Sequence, residues 1–327
     1  MKCADPILCY TNEKGRRIYR HFTLANDEVK RLHQLVFDCG QCLFCRKKRS
    51  YELAARCVLH ASLYKDNCFL TLTYDEKKEG YHNEFQYEDI QKFKKRLRRH
   101  CRDKKIQLFN VHEYGKNSKK HWHLICFNHN FDDKTLHTRS SGLPLFTSKI
   151  LQKLWPHGFS TIGDVSTASA MYQAQYVEKD LKNGNRTNKK KSHSKHSGLA
   201  RPYFLKHYRQ LLTLGYVPIN GTKIPLPRYF EKLSHRHWCH FYAPGAFKDT
   251  HARKALYRPF RRESPNKEIA DLWPQYFELK EQKIAERQHE WDQLISEHLT
   301  SKSVPDFIKS ESNALYDLKN KNTQEKF

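Results

Sequence analysis

The stretch that decides how this sequence folds is Leu108-Phe109-Asn110-Val111-His112-Glu113-Tyr114, then Gly115 to Lys120, then His121-Trp122-His123-Leu124-Ile125-Cys126-Phe127. Two apolar runs are joined by six residues that include glycine, asparagine and serine, which predicts an antiparallel hairpin. Neither run alternates cleanly between polar and apolar residues, so both belong inside a sheet that is covered on at least one face. Alternate side chains of a strand point the same way, which puts His121 and His123 on one face. Directly opposed residues of an antiparallel pair also share a face. With the turn centred near Asn117 and Ser118, the numbers of opposed residues sum to about 234–236. An even sum sets Glu113 opposite His121 or His123. Two imidazoles and a carboxylate, with positions left for phosphate oxygens and water, describe a catalytic metal site and not a closed structural one. The His-x-His spacing is weak by itself. With 20 histidines in 327 residues, chance supplies roughly one such pair, and His235 with His237 forms a second.

Upstream, Leu53, Ala54, Cys57, Val58 and Ala61 recur at helical spacing and predict a helix over 50–64. Cys68 to Tyr74 is a short β-type run, and residues 87–100 form a basic helix with Ile90, Phe93 and Leu97 as its apolar stripe. Downstream, a loop holding Pro144 and Pro156 leads to a helix from Ala168 to about Leu181, capped by Ser166 or Thr167 and ended by Gly184. Tyr172 and Tyr176 lie four apart on it, with both hydroxyls on one face, and Lys179 can share that face. A free phenol has a pKa of about 10, so a tyrosine nucleophile needs a nearby ammonium or a metal that polarises the scissile phosphate. Read alone, the segment is equally two aromatic residues packing a helix on a sheet; the metal site beside it gives the pair chemical meaning. Asn185 to Gly198 reads as an exposed basic loop. Residues 201–233 mix short apolar runs with prolines, and His235, His237, His240 and Cys239 read as a basic loop, solvated or facing DNA. A charged helix over 267–300 precedes a polar tail.

The chain carries 60 Lys+Arg against 35 Asp+Glu, a formal net charge of +25. Such an excess calls for an anionic partner, and nucleic acid fits, because each neutralised phosphate releases condensed counterions. Lys94, Lys95, Arg96, Arg98 and Arg99 on the basic helix, with Lys189, Lys190 and Lys191 in the loop, are the expected phosphate contacts. No secretory leader is expected from Met1 to Thr11 and no apolar run approaches ~18 residues, so no membrane partner is expected. The ten cysteines then sit in a reducing compartment, where metal binding or burial is favoured over disulfides. Cys39, Cys42 and Cys45 are spaced C-x2-C-x2-C, with Cys3 or Cys9 as a fourth thiolate for a structural Zn²⁺ site. A ferredoxin-type cluster would want cysteine at position 49, which is Arg49.

The order FLTLTY (69–74), HEYG (112–115), HWH (121–123) and YQAQYVEK (172–179) resembles that of the HUH endonucleases. It is closer still to that of the microvirus replication initiator proteins of the Chlamydia-phage type. CGQCLFCRKKR (39–49), TLTYDE (71–76), KRLR (95–98), GLARPYF (198–204) and LPRYFEKL (226–233) extend the likeness over residues 1–235. The resemblance implies an α+β fold, with a central antiparallel sheet of about five strands flanked by helices. It implies His121, His123 and Glu113 as ligands of Mg²⁺ or Mn²⁺, Tyr172 and Tyr176 as nucleophiles and Lys179 as an assisting lysine. The implied activity is rolling-circle initiation: nicking of the viral origin on double-stranded replicative DNA, a 5′-phosphotyrosine link and a free 3′-hydroxyl, then joining of the displaced strand into a circle. Host helicase and polymerase would be partners, in the host cytoplasm. One departure is Lys119-Lys120 before HWH, where relatives often carry Arg-Pro; this is expected to change hairpin geometry and not chemistry. Three segments are expected: a Cys-rich stretch 1–48, a nicking domain 49–235, and a C-terminal extension 236–327, basic and then helical. Two other functions fit the same residues, a non-catalytic metal-containing nucleic-acid-binding module and an HUH transposase or relaxase.

Overall fold

The computed structural model describes residues 3–78, 81–82, 84–114, 119–140, 142–179, 192–193, 198–243, 264–301, 305–306 and 308; side chains of 175–179 and 192–193 lie outside that description. In chain order the elements are β1 (Ile7–Thr11), β2 (Arg17–His21), a 3-10 turn (Phe22–Leu24), α1 (Asp27–Leu32), β3 (Leu35–Phe37), α2 (Leu43–Ala61), β4 (Asn67–Thr73) and α3 (Tyr87–His100). Then follow β5 (Gln107–Tyr114), β6 (Lys120–Phe127), β7 (Thr135–Ser140), β8 (Leu143–Thr147), α4 (Lys149–Leu154), β9 (Ser160–Gly163) and α5 (Thr167–Lys179). The last are β10 (Ser192–His193), α6 (Arg201–Leu214), β11 (Tyr216–Ile219), β12 (Thr222–Pro225), α7 (Arg228–Tyr242) and α8 (Lys267–Ser301). No helix among the described residues is long and apolar enough to cross a membrane.

The chain divides into two compact units, residues 50–265 and residues 1–49 with 266–327. The larger is α+β. Its sheet has seven antiparallel strands in the order β10-β5-β6-β4-β9-β8-β7, two more than the expected five. The extra strands come from residues 135–163, read from sequence as loop. Every residue of β7 is exposed and β8 carries Pro144, features that sheet edges tolerate but that hide a strand in sequence.

Both faces of the central strands are covered, as the continuous apolar runs require. On one face Ile90, Phe93 and Leu97 of α3 and Leu151 of α4 pack with Leu70, Leu72, Trp122, Leu124 and Trp155. On the other, Ala54 and Cys57 of α2 and Ala170 and Ala174 of α5 pack with Phe109, Val111, Ile125 and Phe127. Removing a buried ring such as Phe93 costs about 3–5 kcal/mol. Gly158 lets the chain pass the end of β4, because a Cβ there would lie 2.2 Å from the Thr73 carbonyl oxygen.

The structure corrects two further expectations. His235 to His240 lie not in a loop but on α7, whose inward side holds Phe230, Leu233, Ser234 and His237. That helix also runs through the boundary expected at 235, and α8 groups with residues 1–49, not with 236–265. Of the loop expected over 185–198, residues 192–193 form β10 and Gly198 is described; Lys189, Lys190, Lys191 and the expected helix end at Gly184 lie outside the described residues.

The smaller unit is built on a three-stranded sheet, β2-β1-β3. Leu8 and Val36 on one of its faces pack with Phe22 and with Trp291 and Ile295 of α8.

Candidate metal centre and nucleophile helix

The hairpin register pairs Glu113 with His121 and Val111 with His123, so opposed numbers sum to 234 and all three polar side chains share a face. On the other side of β6, Thr71 pairs with His123 and Thr73 with His121. One ligand atom from each of Glu113, His121 and His123 lies within 4.8 Å of the others, a group that could hold a metal ion. His123 Nε2 stands 3.2 Å from Glu113 Oε2, and His123 Nδ1 stands 3.2 Å from Thr71 Oγ1. When Nδ1–H donates to the threonine, Nε2 is the atom left to ligate, which is how outer partners fix a histidine tautomer. Burial, then the neighbouring His123, hold the His121 imidazole below its ordinary pKa against the pull of Glu113. A neutral imidazole is the form that binds metal.

Helix α5 lies against the same face. Ser166 caps it by accepting from Ser169 N at 3.1 Å, and Ser169 Oγ accepts from Ser166 N at 2.7 Å. Its approach to the sheet is close because its buried positions are small, Ala170 and Ala174. Gln173, fully buried, donates through Nε2 to the carbonyls of Phe109 (2.8 Å) and His123 (3.2 Å). Ser50 of α2 donates to the Ala174 carbonyl at 3.3 Å. These bonds fasten the helix to both strands that carry the ligands. Tyr172 therefore stands at the rim of the triad: its ring centroid is 5.5 Å from that of His123, edge-on at 81°, and the residue is 44 % exposed. Tyr176 and Lys179 lie one and nearly two turns further along α5, and their side chains fall outside the described residues.

Thr71 and Gln173 were not singled out from sequence. Thr71 had a signal: Phe69, Thr71 and Thr73 alternate with Leu70 and Leu72, so β4 turns its polar residues to the histidine face. Gln173 had none, since a polar residue next to a tyrosine on a helix is ordinary.

Lys120, the departure before HWH, is buried on the opposite face. Its ammonium donates to the carbonyls of His82 and Glu84 and lies 4.5 and 4.1 Å from the ring centroids of Tyr74 and Tyr81. It fixes the approach to α3 and takes no part in the triad. Of the five expected phosphate contacts on α3, Lys95, Arg98 and Arg99 are exposed. Lys94 is half-buried, with burial and then Arg98 pushing its pKa down to about 8. Arg96 is tied through Nε to the Leu154 carbonyl at 2.9 Å. On α7, burial and then Arg201, Arg236 and His240 push His237 down to about 4.

In the smaller unit Cys3, Cys39, Cys42 and Cys45 bring their sulfurs together, again within 4.8 Å of one another, as a second group that could hold a metal. All four are free thiols. The Cys3–Cys42 and Cys39–Cys45 separations are 3.8 and 4.0 Å. A disulfide would need about 2.05 Å, whereas a tetrahedron with 2.3 Å metal–sulfur bonds has edges of about 3.8 Å. Backbone N–H groups of Cys39, Gln41, Cys42 and Cys45 point at sulfurs at 3.2–3.4 Å, donors that favour thiolate over thiol. The fourth member is Cys3, and Cys9 is buried in β1.

Comparison with known proteins places this geometry in context. The family model for replication-associated proteins of the ORF2 type matches residues 67–181, the span that carries the triad and both tyrosines. The chain is 29% identical over 286 residues to replication-associated protein VP4 of Bdellovibrio phage phiMH2K, covering 83% of this chain and 85% of that protein. It is 31% identical over 210 residues to replication-associated protein ORF4 of Chlamydia phage 1, covering 60% of this chain and 52% of that protein. It is 30% identical over 266 residues to replication-associated protein ORF2 of Spiroplasma virus 4, covering 73% and 82%. No solved structure matches the chain.

Proposed function

The chain belongs to the replication-associated proteins of microviruses, and from that premise we propose that it is a metal-dependent nickase of HUH type that starts rolling-circle replication by tyrosine transesterification. The observation that carries this reading is the position of Tyr172, edge-on to His123 at 5.5 Å, beside a carboxylate and two imidazoles with converging ligand atoms.

Glu113, His121 and His123 would hold Mg²⁺ or Mn²⁺. When bound, the ion supplies Lewis-acid polarisation of a phosphoryl oxygen. The remaining work falls to the protein. Glu113 supplies negative charge that offsets a divalent cation, and Thr71 keeps Nε2 of His123 turned inward. Gln173 fixes the height of α5 above the ligand strands, so that the Tyr172 phenol meets a phosphate held at the triad. The phenol oxygen attacks the phosphorus, an O–P bond to tyrosine forms, and the P–O3′ bond breaks. The phenol proton leaves, the departing 3′-oxygen gains one, and the free 3′-hydroxyl is ready for extension. The second tyrosine, Tyr176, would repeat the step on the displaced strand while the first link persists, with Lys179 lowering the cost of a phenolate. Lys95, Arg98 and Arg99 of α3 and Lys189 to Lys191 would contact phosphates. Host helicase and polymerase would act on the opened origin in the host cytoplasm. The four-cysteine cluster would hold a structural Zn²⁺, since a closed set of four sulfurs leaves no position for substrate.

The test is incubation with a labelled origin oligonucleotide and Mn²⁺ or Mg²⁺. An SDS-resistant adduct that forms only with the ion, and disappears in Tyr172→Phe/Tyr176→Phe while DNA binding persists, is the expected result. An adduct of equal yield in the double variant would overturn the tyrosine assignment. Mass spectrometry of the wild-type adduct names the residue that attacks first.

A further inference from the structure

Strands β1, β2 and β3 carry apolar residues on both faces of their sheet. One face is accounted for by Leu8 and Val36, which pack toward α8. On the other, the registers place Cys9 opposite both Tyr19 and Leu35, and Ile7 opposite both His21 and Phe37. A sheet with one solvated face normally turns polar residues outward. Here Tyr19 is 54 % exposed, Phe37 44 % and Leu35 37 %. The Tyr19 and Phe37 rings flank the central strand with centroids 6.2 Å apart. Exposed aromatic residues gathered on one small sheet are a binding surface and not chance exposure.

Charge selects the occupant. Edge strand β2 and its turn bear Lys14, Arg16, Arg17 and Arg20, all exposed, against the one acid Glu13. Arg17 lies on the same face as Tyr19, two residues away. Aromatic rings with a cationic border bind unstacked bases and their phosphates, because every base has a π-face and every link a negative charge. A duplex offers no free base faces. A second copy seated by a two-fold axis would bring the two arginine borders together, and like charges so placed are repelled.

We propose that the open face of the β2-β1-β3 sheet is a single-stranded DNA platform, on which bases stack on Tyr19 and Phe37 and phosphates meet Arg17 and its neighbours on β2. It gives the smaller unit a task separate from the tyrosine chemistry, holding the unpaired strand. The proposal rests on reading the chain as a DNA-processing protein, and its test is binding without cleavage.

The probe is a fluorescein-labelled 20-mer of thymidine, titrated by anisotropy with the full-length protein and no added divalent ion. Tyr19→Ala and Phe37→Ala are each expected to weaken binding about tenfold, from the worth of one stacked base. Tyr19→Phe should bind like wild type and Tyr19→Leu like the alanine variant, because stacking and not apolar area is used. Arg17→Gln should lower the salt slope by about 0.7, one single-strand phosphate contact. Binding to a 20-base-pair duplex should change less than threefold. Unchanged thymidine binding in Tyr19→Ala/Phe37→Ala would overturn the proposal. So would a fall in sedimenting mass from dimer to monomer in that variant, which would assign the face to a second copy. The two readings fail separately: an absent covalent adduct in wild type sinks the nickase alone, whereas a normal adduct with unaltered thymidine binding in the variants sinks the platform alone.

Discussion

The two compact units answer the same problem, holding a few side chains in fixed positions, by opposite means. The smaller unit has a three-stranded sheet and gathers four thiols whose separations match a closed tetrahedron. The larger has a seven-stranded sheet with apolar layers on both faces and spends that rigidity on an open group of three donors beside a half-exposed phenol. A small core that cannot stabilise itself uses ligands for cohesion, whereas a large core can leave ligand positions for chemistry. Metal loss should therefore mean unfolding in one unit and inactivity in the other.

The largest expected effect is on the thiol cluster. Structural zinc contributes on the order of 10 kcal/mol to small domains. Cys42→Ser should reduce zinc measured by atomic emission to background and open residues 1–49 to limited proteolysis; retained zinc with unaltered protease resistance would break the comparison. Acid should act on the larger unit instead. His60 accepts from Ala200 N at 3.3 Å, and burial, then the opposed influences of Gln107 and Arg56, leave its pKa at about 4, as burial and nearby cations do for His237. Both are depressed below the unfolded value, so the unfolded chain binds more protons across this range. Stability is full above about pH 6.5 and falls toward pH 4, by up to about 3 kcal/mol for each histidine. Urea unfolding between pH 7 and 4.5 measures this, and His60→Gln should flatten the slope.

Glu113→Gln removes a charge from the open group without emptying the core. Adduct formation should fall about 100-fold or more, the upper range for residues that support a metal site, while the melting temperature moves by less than about 2 °C. A large drop in melting temperature would make the triad structural, like the cysteines. The smallest effect is expected from Thr71→Val. Losing the partner of His123 Nδ1 should weaken Mn²⁺ binding about tenfold, read by titrating adduct yield against the ion.

The active half of the larger unit was legible because its signals are local. The hairpin shows in two apolar runs and a glycine-bearing link, and parity of residue numbers puts Glu113 on the histidine face without knowledge of the loop. Helix α3 matches its expected limits because Ile90, Phe93 and Leu97 keep helical spacing under a basic surface. What was hidden depends on tertiary partners. Helix α7 has the spacing of a buried stripe in Phe230, Leu233, Ser234 and His237, but two of the four are polar, so the pattern read as loop. The three-stranded sheet was missed because its strands are three to five residues long and apolar on both sides. Gln173 became visible only when its amide met two strand carbonyls.

The far border of the large sheet carries a last consequence. Strand β7 has β8 on one side and, among the described residues, no strand on the other, and its six residues face water. A border row of amides and carbonyls of that kind is a template on which another polypeptide can add itself. The register breaks between Leu136 and Thr138, with His137 as the extra residue, and such an insertion twists the border out of line. At the high concentrations of an infected cell, that irregularity guards against polymerisation through the sheet margin.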